Sequence, residues 1–134
     1  MRTRATAVVI KGEQILMIHR HNHGEEYWVL PGGGMENGES VEEAAIRELK
    51  EETTIDASVK SKLTEFTDTK GDHHVLYLCE YLRGEPKLYE GSVEANKTDE
   101  EQLYEPKWMD VQILPSLTIY PNEEKGVLLN YLGI

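Results

Sequence analysis

The chain has 134 residues, a length typical of one domain with an ordinary hydrophobic core. Hydrophobic residues make up 39% of it, and no apolar run approaches the ~20 residues that a membrane span needs. The net charge is −11, from 14 Lys and Arg against 25 Asp and Glu. Such a negative surface argues against a nucleic-acid polymer as partner. Cys79 is the single cysteine, so no internal disulfide can form and a cytoplasmic location is expected.

Hydrophobic patterning predicts strands and helices mixed within one α+β domain, residues 1–134. Strands are expected over residues 3–10, 14–19, 27–30, 57–67 and 74–82, with a short extended segment over 106–111. Residues 20–26 are expected to form a polar loop, and residues 83–102 are expected to be mostly loop. A terminal helix is expected over residues 122–131.

A further helix is predicted from about Val41 to Glu52. Ser40 is a suitable N-cap, and Glu43 follows it at the spacing of a capping box. Thr53 and Thr54 are β-branched and end the helical pattern. The apolar stripe at helical period consists of Val41, Ala44, Ala45, Ile46 and Leu49.

Three glutamates lie close together in this helix. Glu48, Glu51 and Glu52 stand at i, i+3 and i+4, so their side chains share one face. Like charges at these spacings repel, and acids in the last turn oppose the helix dipole. Clustered carboxylates suit a hard cation such as Mg²⁺ or Mn²⁺, and the neighbouring Arg47 could hold one of them in position. A solvated acidic face is the alternative, and the helix alone does not decide between the two.

A glycine-rich segment precedes the helix. Gly32, Gly33 and Gly34 follow a predicted strand and Pro31. Glycines allow a backbone to approach a ligand closely, and their carbonyls can join the shell of a cation. An ordinary turn is the alternative for the glycines taken alone. Together, a strand, a glycine turn and an acidic helix would bring backbone groups and carboxylates into one small volume.

At this point the sequence resembles the Nudix family. Its motif is Gly-x5-Glu-x7-Arg-Glu-U-x-Glu-Glu-x-Gly-U, where U is a bulky aliphatic residue. Residues 33–55 match eight of its nine defined positions, and a chance match of this quality is expected about once in 10⁵ chains of this length. Thr54 stands where the family has Gly. Because a left-handed C-cap is harder for a β-branched residue, we expect a different helix exit or some strain there.

The resemblance implies a Nudix-type α/β/α sandwich with a mixed β-sheet. It also implies a pyrophosphohydrolase that cleaves a nucleoside diphosphate linked to another group, by water attack on phosphorus with Mg²⁺ or Mn²⁺. Carried over by position, the metal ligands would be Glu48, Glu51, Glu52 and the Gly33 carbonyl. Arg47 would orient the carboxylates, and Glu39 would assist from the loop at the substrate.

Residues outside the motif are weaker candidates. The resemblance implies a general base or further ligand in a loop before Trp108, where Glu101 and Glu100 are favoured over Glu105. Arg20 could meet substrate phosphate, with a solvated loop as its alternative. Tyr27 could stack on a base, although an aromatic residue in a strand is often part of the core. His73 and His74 lie beside a turn, and no Cys or His partner stands at zinc-ligand spacing from them.

The expected partner is a small nucleotide or diphosphate compound, with no membrane and a homodimer as one possibility. The expected substrate is either a nucleoside triphosphate or a nucleotide conjugate such as a nucleotide sugar. Two other functions stay open at this point: a nucleotide-binding sensor on the same fold without turnover, and an acidic interaction domain without metal. An EF-hand is disfavoured because its acidic loop pattern is absent from the sequence.

Overall fold

A mixed β-sheet organises the chain and carries helices on its two faces. The computed structural model describes residues 2–87 and 102–134. Its helices are α1 (Val41–Thr53) and α2 (Asn122–Leu132), with a 3₁₀ helix over Val111–Ser116. Its strands are β1 (Thr3–Lys11), β2 (Gln14–Asn22), β3 (Glu25–Val29), β4 (Gly32–Gly34), β5 (Asp56–Thr67), β6 (His73–Arg83) and β7 (Gln102–Asp110). The expected α+β architecture with a mixed sheet is confirmed.

The hydrophobic core lies in two layers, one on each face of the sheet. Successive residues of a strand point to opposite faces. In β1, Ala7 packs in one cluster with Leu49 of α1, whereas Val8 packs in the other with Leu128 of α2. All four are buried. The expected helix–sheet–helix sandwich follows from this alternation. Within the described ranges, no helix has the length and apolarity needed to span a membrane.

The sheet divides between β1 and β2. These strands are antiparallel and pair at Ile10 with Ile15 and at Lys11 with Gln14, close to the turn that joins them. Further along, β2 pairs with β3 and β7, and the first half of β1 lies between β4 and β6. Arg4 shows the arrangement, because its backbone is paired with Gly34 on one side and with His74 on the other. The division leaves room for a cavity between the two parts of the sheet.

Helix α1 begins as predicted. The hydroxyl of Ser40 accepts a hydrogen bond from the Glu43 backbone at 3.1 Å, and the Glu43 carboxylate accepts one from the Ser40 backbone at 2.9 Å. The helix ends at a left-handed residue, Thr54, with φ 62°. Of the two outcomes expected at Thr54, the structure therefore agrees with the second. The left-handed exit is kept, and it is one that β-branched residues rarely adopt.

Some strand boundaries differ from the prediction. Strand β2 continues to Asn22 and β3 begins at Glu25, so residues 20–26 do not form one loop. Gly32–Gly34 is a short strand paired with β1 and not merely a turn. Strand β7 begins at Gln102, earlier than the predicted extended segment. Residues 88–101 lie outside the described ranges, so the loop expected there stays a prediction.

Candidate active site

A cavity of about 1190 Å³ opens between the two parts of the sheet. Strand β4 and the glutamates Glu48 and Glu52 of α1 form part of its wall. Arg4 of β1 and Arg20 of β2 also line it, so the cavity contains positive charge although the whole chain is strongly negative. A concave site that holds carboxylates and arginines together suits a phosphate compound combined with a cation.

Glu48 and Glu52 lie against the backbone of β4. The Gly32 backbone N–H donates a hydrogen bond of 2.8 Å to Oε1 of Glu52. The Glu48 carboxylate occupies the space beside Gly33, so that a Cβ at position 33 would lie 2.6 Å from Oε2 of Glu48. A side chain at position 33 would displace the Glu48 carboxylate, which fills its place. The predicted approach of the glycine backbone to these two carboxylates is thus present.

Arg47 holds the surrounding carboxylates in position. Its Nε donates to Oε2 of Glu39 at 2.7 Å, and its Nη2 donates to the Gly34 carbonyl at 2.9 Å. Its Nη1 donates to Glu48 at 3.0 Å and to Glu51 at 3.2 Å. The hydrogen bond to Glu39 raises the pKa of the Arg47 guanidinium, and the same bond lowers the pKa of Glu39. Charge-assisted bonds of this kind fix the side chain of Glu48.

Glu51 faces Arg47 and its side chain is half exposed. In the part of the chain that the structure describes, no three His, Cys, Asp or Glu side chains are arranged to hold a metal ion. Glu48 and Glu52 beside a glycine backbone nevertheless form a donor set of the type that Mg²⁺ or Mn²⁺ binds. Glu51 would have to leave Arg47 to join them.

Comparison of the sequence with known proteins identifies the family of the chain. The model of the NUDIX domain matches residues 1–130. The chain belongs to the Nudix family. It is 35% identical over 98 residues to an ADP-ribose pyrophosphatase of Methanocaldococcus jannaschii, covering 69% of the chain and 58% of the relative. It is 30% identical over 131 residues to a candidate 8-oxo-dGTP diphosphatase of Bacillus subtilis, covering 95% of the chain and 78% of the relative.

Solved structures agree with this assignment. A Nudix hydrolase from Nitrosomonas europaea has a TM-score of 0.78 at 18% identity, covering 98% of this chain and 70% of that one. This likeness supports the Nudix fold. The expectation of a Nudix-type hydrolase acting on phosphoric anhydride bonds is confirmed at the level of the family, because matched relatives are named as pyrophosphatases and diphosphatases. The chain spans little more than half of the first of these relatives.

Of the three residues expected to bind substrate, Arg20 and Tyr27 line the cavity, whereas Glu39 binds Arg47. Arg20 lines the cavity, donates to the Leu103 carbonyl at 3.1 Å and lies 3.7 Å above the Tyr104 ring. Tyr27 also lines the cavity, with its ring 5.0 Å from that of Tyr120. Glu39 uses both carboxylate oxygens to bind Arg47. Its direct contact with substrate stays a prediction.

Of the three loop glutamates considered as a base or further ligand, only Glu105 lies within the described residues. Glu101 and Glu100 lie outside the described residues, so the role expected of Glu101 as a base or further ligand stays a prediction. Glu105 is half exposed, and its carboxylate lies 3.4 Å from the His19 ring and 3.8 Å from the Lys107 amine. Ordinary surface ion pairs of this kind have little energetic weight.

Sequence reasoning missed several side chains of the cavity wall. Arg2 and Arg4 precede or begin β1, where the sequence showed a simple alternating strand. Glu124 was hidden in the acidic start of a weakly amphipathic helix, yet it is 2% exposed and lines the cavity. His74 lies on the neighbouring β6. For Arg4 and His74, the signal that could have found them is an Arg or His at an inward position of a strand pattern, where an apolar residue is expected.

Proposed function

We propose that the chain is a divalent-metal-dependent pyrophosphohydrolase that cleaves a nucleoside diphosphate linked to another group, either a nucleoside triphosphate or a nucleotide conjugate. The observation that carries the proposal is the meeting of Glu48 and Glu52 with the β4 backbone at the wall of an arginine-lined cavity. The relatives named above act on nucleotides of both substrate types by their names.

In this proposal Glu48, Glu52 and the Gly33 carbonyl hold Mg²⁺ or Mn²⁺, and Glu51 joins them after releasing Arg47. A bound ion would neutralise charge on a diphosphate and make a water molecule a stronger nucleophile. The Gly32 N–H fixes the orientation of Glu52, and Arg47 fixes that of Glu48. Arg4 and Arg20 line the same cavity and would bind phosphate oxygens. Glu101 is the proposed base or further ligand.

The test is a hydrolysis assay on a panel of nucleoside triphosphates and nucleotide conjugates with Mg²⁺ or Mn²⁺. The release of phosphate or pyrophosphate is measured. Turnover is expected with at least one nucleotide and should disappear with EDTA. Glu52→Gln should lower kcat about 10²-fold or more, because it removes a charged ligand. Glu42→Gln is the matched control, since Glu42 lies exposed in the first turn of α1. Saturable nucleotide binding without turnover would contradict the proposal in favour of a sensor.

Arg47 gives the sensor alternative its one structural support. In the described structure it neutralises Glu48 and Glu51, two of the three glutamates that a metal would use. Calorimetric titration with Mn²⁺ separates the alternatives further, because an acidic domain without a metal site would show no saturable binding. A cytoplasmic location and a homodimer stay predictions within the same proposal.

A further inference from the structure

The arginines that line the cavity form no ion pair with a described carboxylate. Arg2, Arg4 and Arg20 lie in the cavity wall, whereas the other two arginines of the chain, Arg47 and Arg83, are paired with glutamate or aspartate. The chain has 25 acidic side chains and a net charge of −11, so carboxylate partners are abundant. Arginines that face a cavity without such a partner indicate that the cavity takes an anion.

Arg20 belongs to a row of three side chains that crosses the sheet. On β2 it lies directly opposite Tyr27 of β3 on one side and directly opposite Tyr104 of β7 on the other. Residues directly opposite each other on neighbouring strands share a face of the sheet, with their Cβ atoms about 5 Å apart. All three residues line the cavity. The Arg20 side chain therefore stands between two tyrosines in the cavity wall.

Tyr104 makes the closer contact with the guanidinium. The centroid of its ring lies 3.7 Å from Cζ of Arg20, whereas the centroid of the Tyr27 ring lies 5.5 Å away. The electron-rich face of an aromatic ring attracts a cation within about 6 Å, and more strongly where water is excluded. Arg20 and Tyr104 are both half-buried. The contact at 3.7 Å thus combines packing with electrostatic attraction.

The backbone of β7 holds the same guanidinium at a second point. Nε of Arg20 donates a hydrogen bond of 3.1 Å to the carbonyl of Leu103, the residue before Tyr104. This bond uses one of the five N–H donors of an arginine side chain. The four donors on Nη1 and Nη2 have no hydrogen-bond partner among the described residues. A ring contact occupies the face of a guanidinium and leaves its N–H edge available for the fork-shaped binding of phosphate oxygens.

We propose that Tyr104 is a positioning residue, whose ring holds the Arg20 guanidinium in the orientation in which its Nη groups bind a phosphate oxygen of the substrate. The inference rests on the proposed function, because it takes the ligand to be a phosphate compound in this cavity. Arginine has several rotatable bonds, and a side chain that is already held loses less entropy when the ligand binds. Strand β7, which lies outside the glycine and glutamate motif, thereby takes part in binding.

The test measures the binding of inorganic pyrophosphate with Mg²⁺ to the whole chain by calorimetry. Arg20→Ala should lower the affinity about 10-fold or more, and Tyr104→Ile, which suits a strand but lacks a ring, about 3- to 10-fold. Tyr104→Phe keeps the ring and should stay within about 2-fold of wild type. Tyr131→Leu is the matched control, because Tyr131 is 47% exposed near the end of α2. Failure of wild type to bind pyrophosphate would overturn the proposal.

A double-mutant cycle separates positioning from a general effect on structure. If Tyr104 acts through Arg20, Tyr104→Ile should change the affinity for pyrophosphate by less than about 2-fold in a chain that already carries Arg20→Ala. Losses that add in the double variant would mean that Tyr104 acts independently of Arg20, and would overturn the proposal.

Fluorination of the ring provides a measurement that does not depend on the Ile variant folding. Phenylalanine analogues with increasing numbers of fluorine atoms, incorporated at position 104, keep the ring and withdraw electron density from its face. Their attraction for a cation falls in the same order. Affinity for pyrophosphate should therefore fall stepwise from Tyr104→Phe through the fluorinated series. Equal affinity across the series would contradict an electrostatic hold on Arg20, because packing alone does not follow the electron density of the ring.

Hydrolysis distinguishes the failure of this inference from the failure of the proposed function. If no nucleotide is hydrolysed but pyrophosphate binding requires Tyr104 and Arg20 as a unit, the proposed activity fails and the positioning role stands. If nucleotides are hydrolysed with the same kcat/KM by wild type and by Tyr104→Ile, the positioning role fails and the proposed activity stands.

Discussion

The Glu48 carboxylate occupies the place where a side chain on Gly33 would begin, with Oε2 2.6 Å and Oε1 2.7 Å from a Cβ built there. A side chain at position 33 would therefore clash with the Glu48 carboxylate in its present position. Because the obstructing atoms are the far end of a flexible side chain, Gly33→Ala should move the carboxylate and leave the fold almost intact. A contact between the motif's glycine and its first helical glutamate therefore sets the position of a candidate metal ligand.

Gly33→Ala should lower kcat about 10- to 100-fold, because it displaces a proposed metal ligand. The midpoint of urea unfolding should change little. Gly126→Ala is the control, since a Cβ there meets no atom within 4 Å. In a helix, alanine is more favourable than glycine by about 1 kcal/mol. Full activity in Gly33→Ala would show that the displaced carboxylate has no part in the chemistry.

Arg47 is expected to stabilise the fold as well as the site. Arg47→Ala removes the guanidinium that donates to three carboxylates and to the Gly34 carbonyl, so the free energy of unfolding should fall by about 2–3 kcal/mol at pH 7. Lys50→Ala is the control, because Lys50 forms a more exposed ion pair with Asp56, worth less than about 1 kcal/mol. Urea denaturation measures both.

The effect of Arg47→Ala should depend on pH in a defined direction. The Arg47 bond lowers the pKa of Glu39 from its ordinary 4.5. A carboxyl with a lowered pKa in the folded state contributes stability above its unfolded pKa and loses it as the pH falls through the folded value. The gap in stability between wild type and variant should therefore narrow as the pH falls below about 4.5. A constant gap would show that Glu39 is not the partner that matters.

Local sequence signals made helix α1 predictable. The strand boundaries and the cavity contacts were harder to predict, because they depend on residues far apart in the sequence. The capping box and apolar stripe of α1 involve residues within a few positions of one another, so the sequence states them directly. The continuation of β2 to Asn22 depends on pairing with β3 and with β7, about 80 residues away. The polar residues 20–22 have no strand signal of their own. The contact between Glu124 and His74 likewise joins positions 50 residues apart.

The stability of the chain should fall as the pH rises through the range of Glu124. Its pKa is about 8 in the folded protein against 4.5 for the free side chain, because burial disfavours the charged form. The unfolded chain therefore releases the proton first, and stability is lost progressively between these two pH values, by about 5 kcal/mol in total from this group. Arg4, His74 and Glu123 are the charged or titratable groups that face it.

Glu124→Gln removes this titration, so its urea midpoint should depend less on pH than that of wild type between pH 5 and pH 8. The measurement is a series of urea denaturations across that range for both proteins. Glu123→Gln serves as the control, because Glu123 is less buried and its removal should leave most of the slope in place. Parallel curves for wild type and Glu124→Gln would contradict a buried neutral carboxyl.

Thr54 combines a strained backbone with a useful side chain. Its φ of 62° is costly for a β-branched residue. Its hydroxyl donates a hydrogen bond of 2.7 Å to the Glu85 carbonyl, and its backbone N–H donates to the Lys50 carbonyl. The hydroxyl bond ties the end of α1 to the segment after β6. Glycine, which the family motif has at this position, could not make this contact.

Two substitutions separate the strain from the bond. Thr54→Val keeps the strain and loses the hydroxyl bond, so the free energy of unfolding should fall by about 1 kcal/mol. Thr54→Gly also loses the bond but relieves a strain of about 1–2 kcal/mol, partly offset by the greater freedom of glycine in the unfolded chain. The Gly variant should therefore be more stable than the Val variant and lie within about 1 kcal/mol of wild type. A Val variant as stable as the Gly variant would mean that the left-handed conformation carries no strain at this helix end.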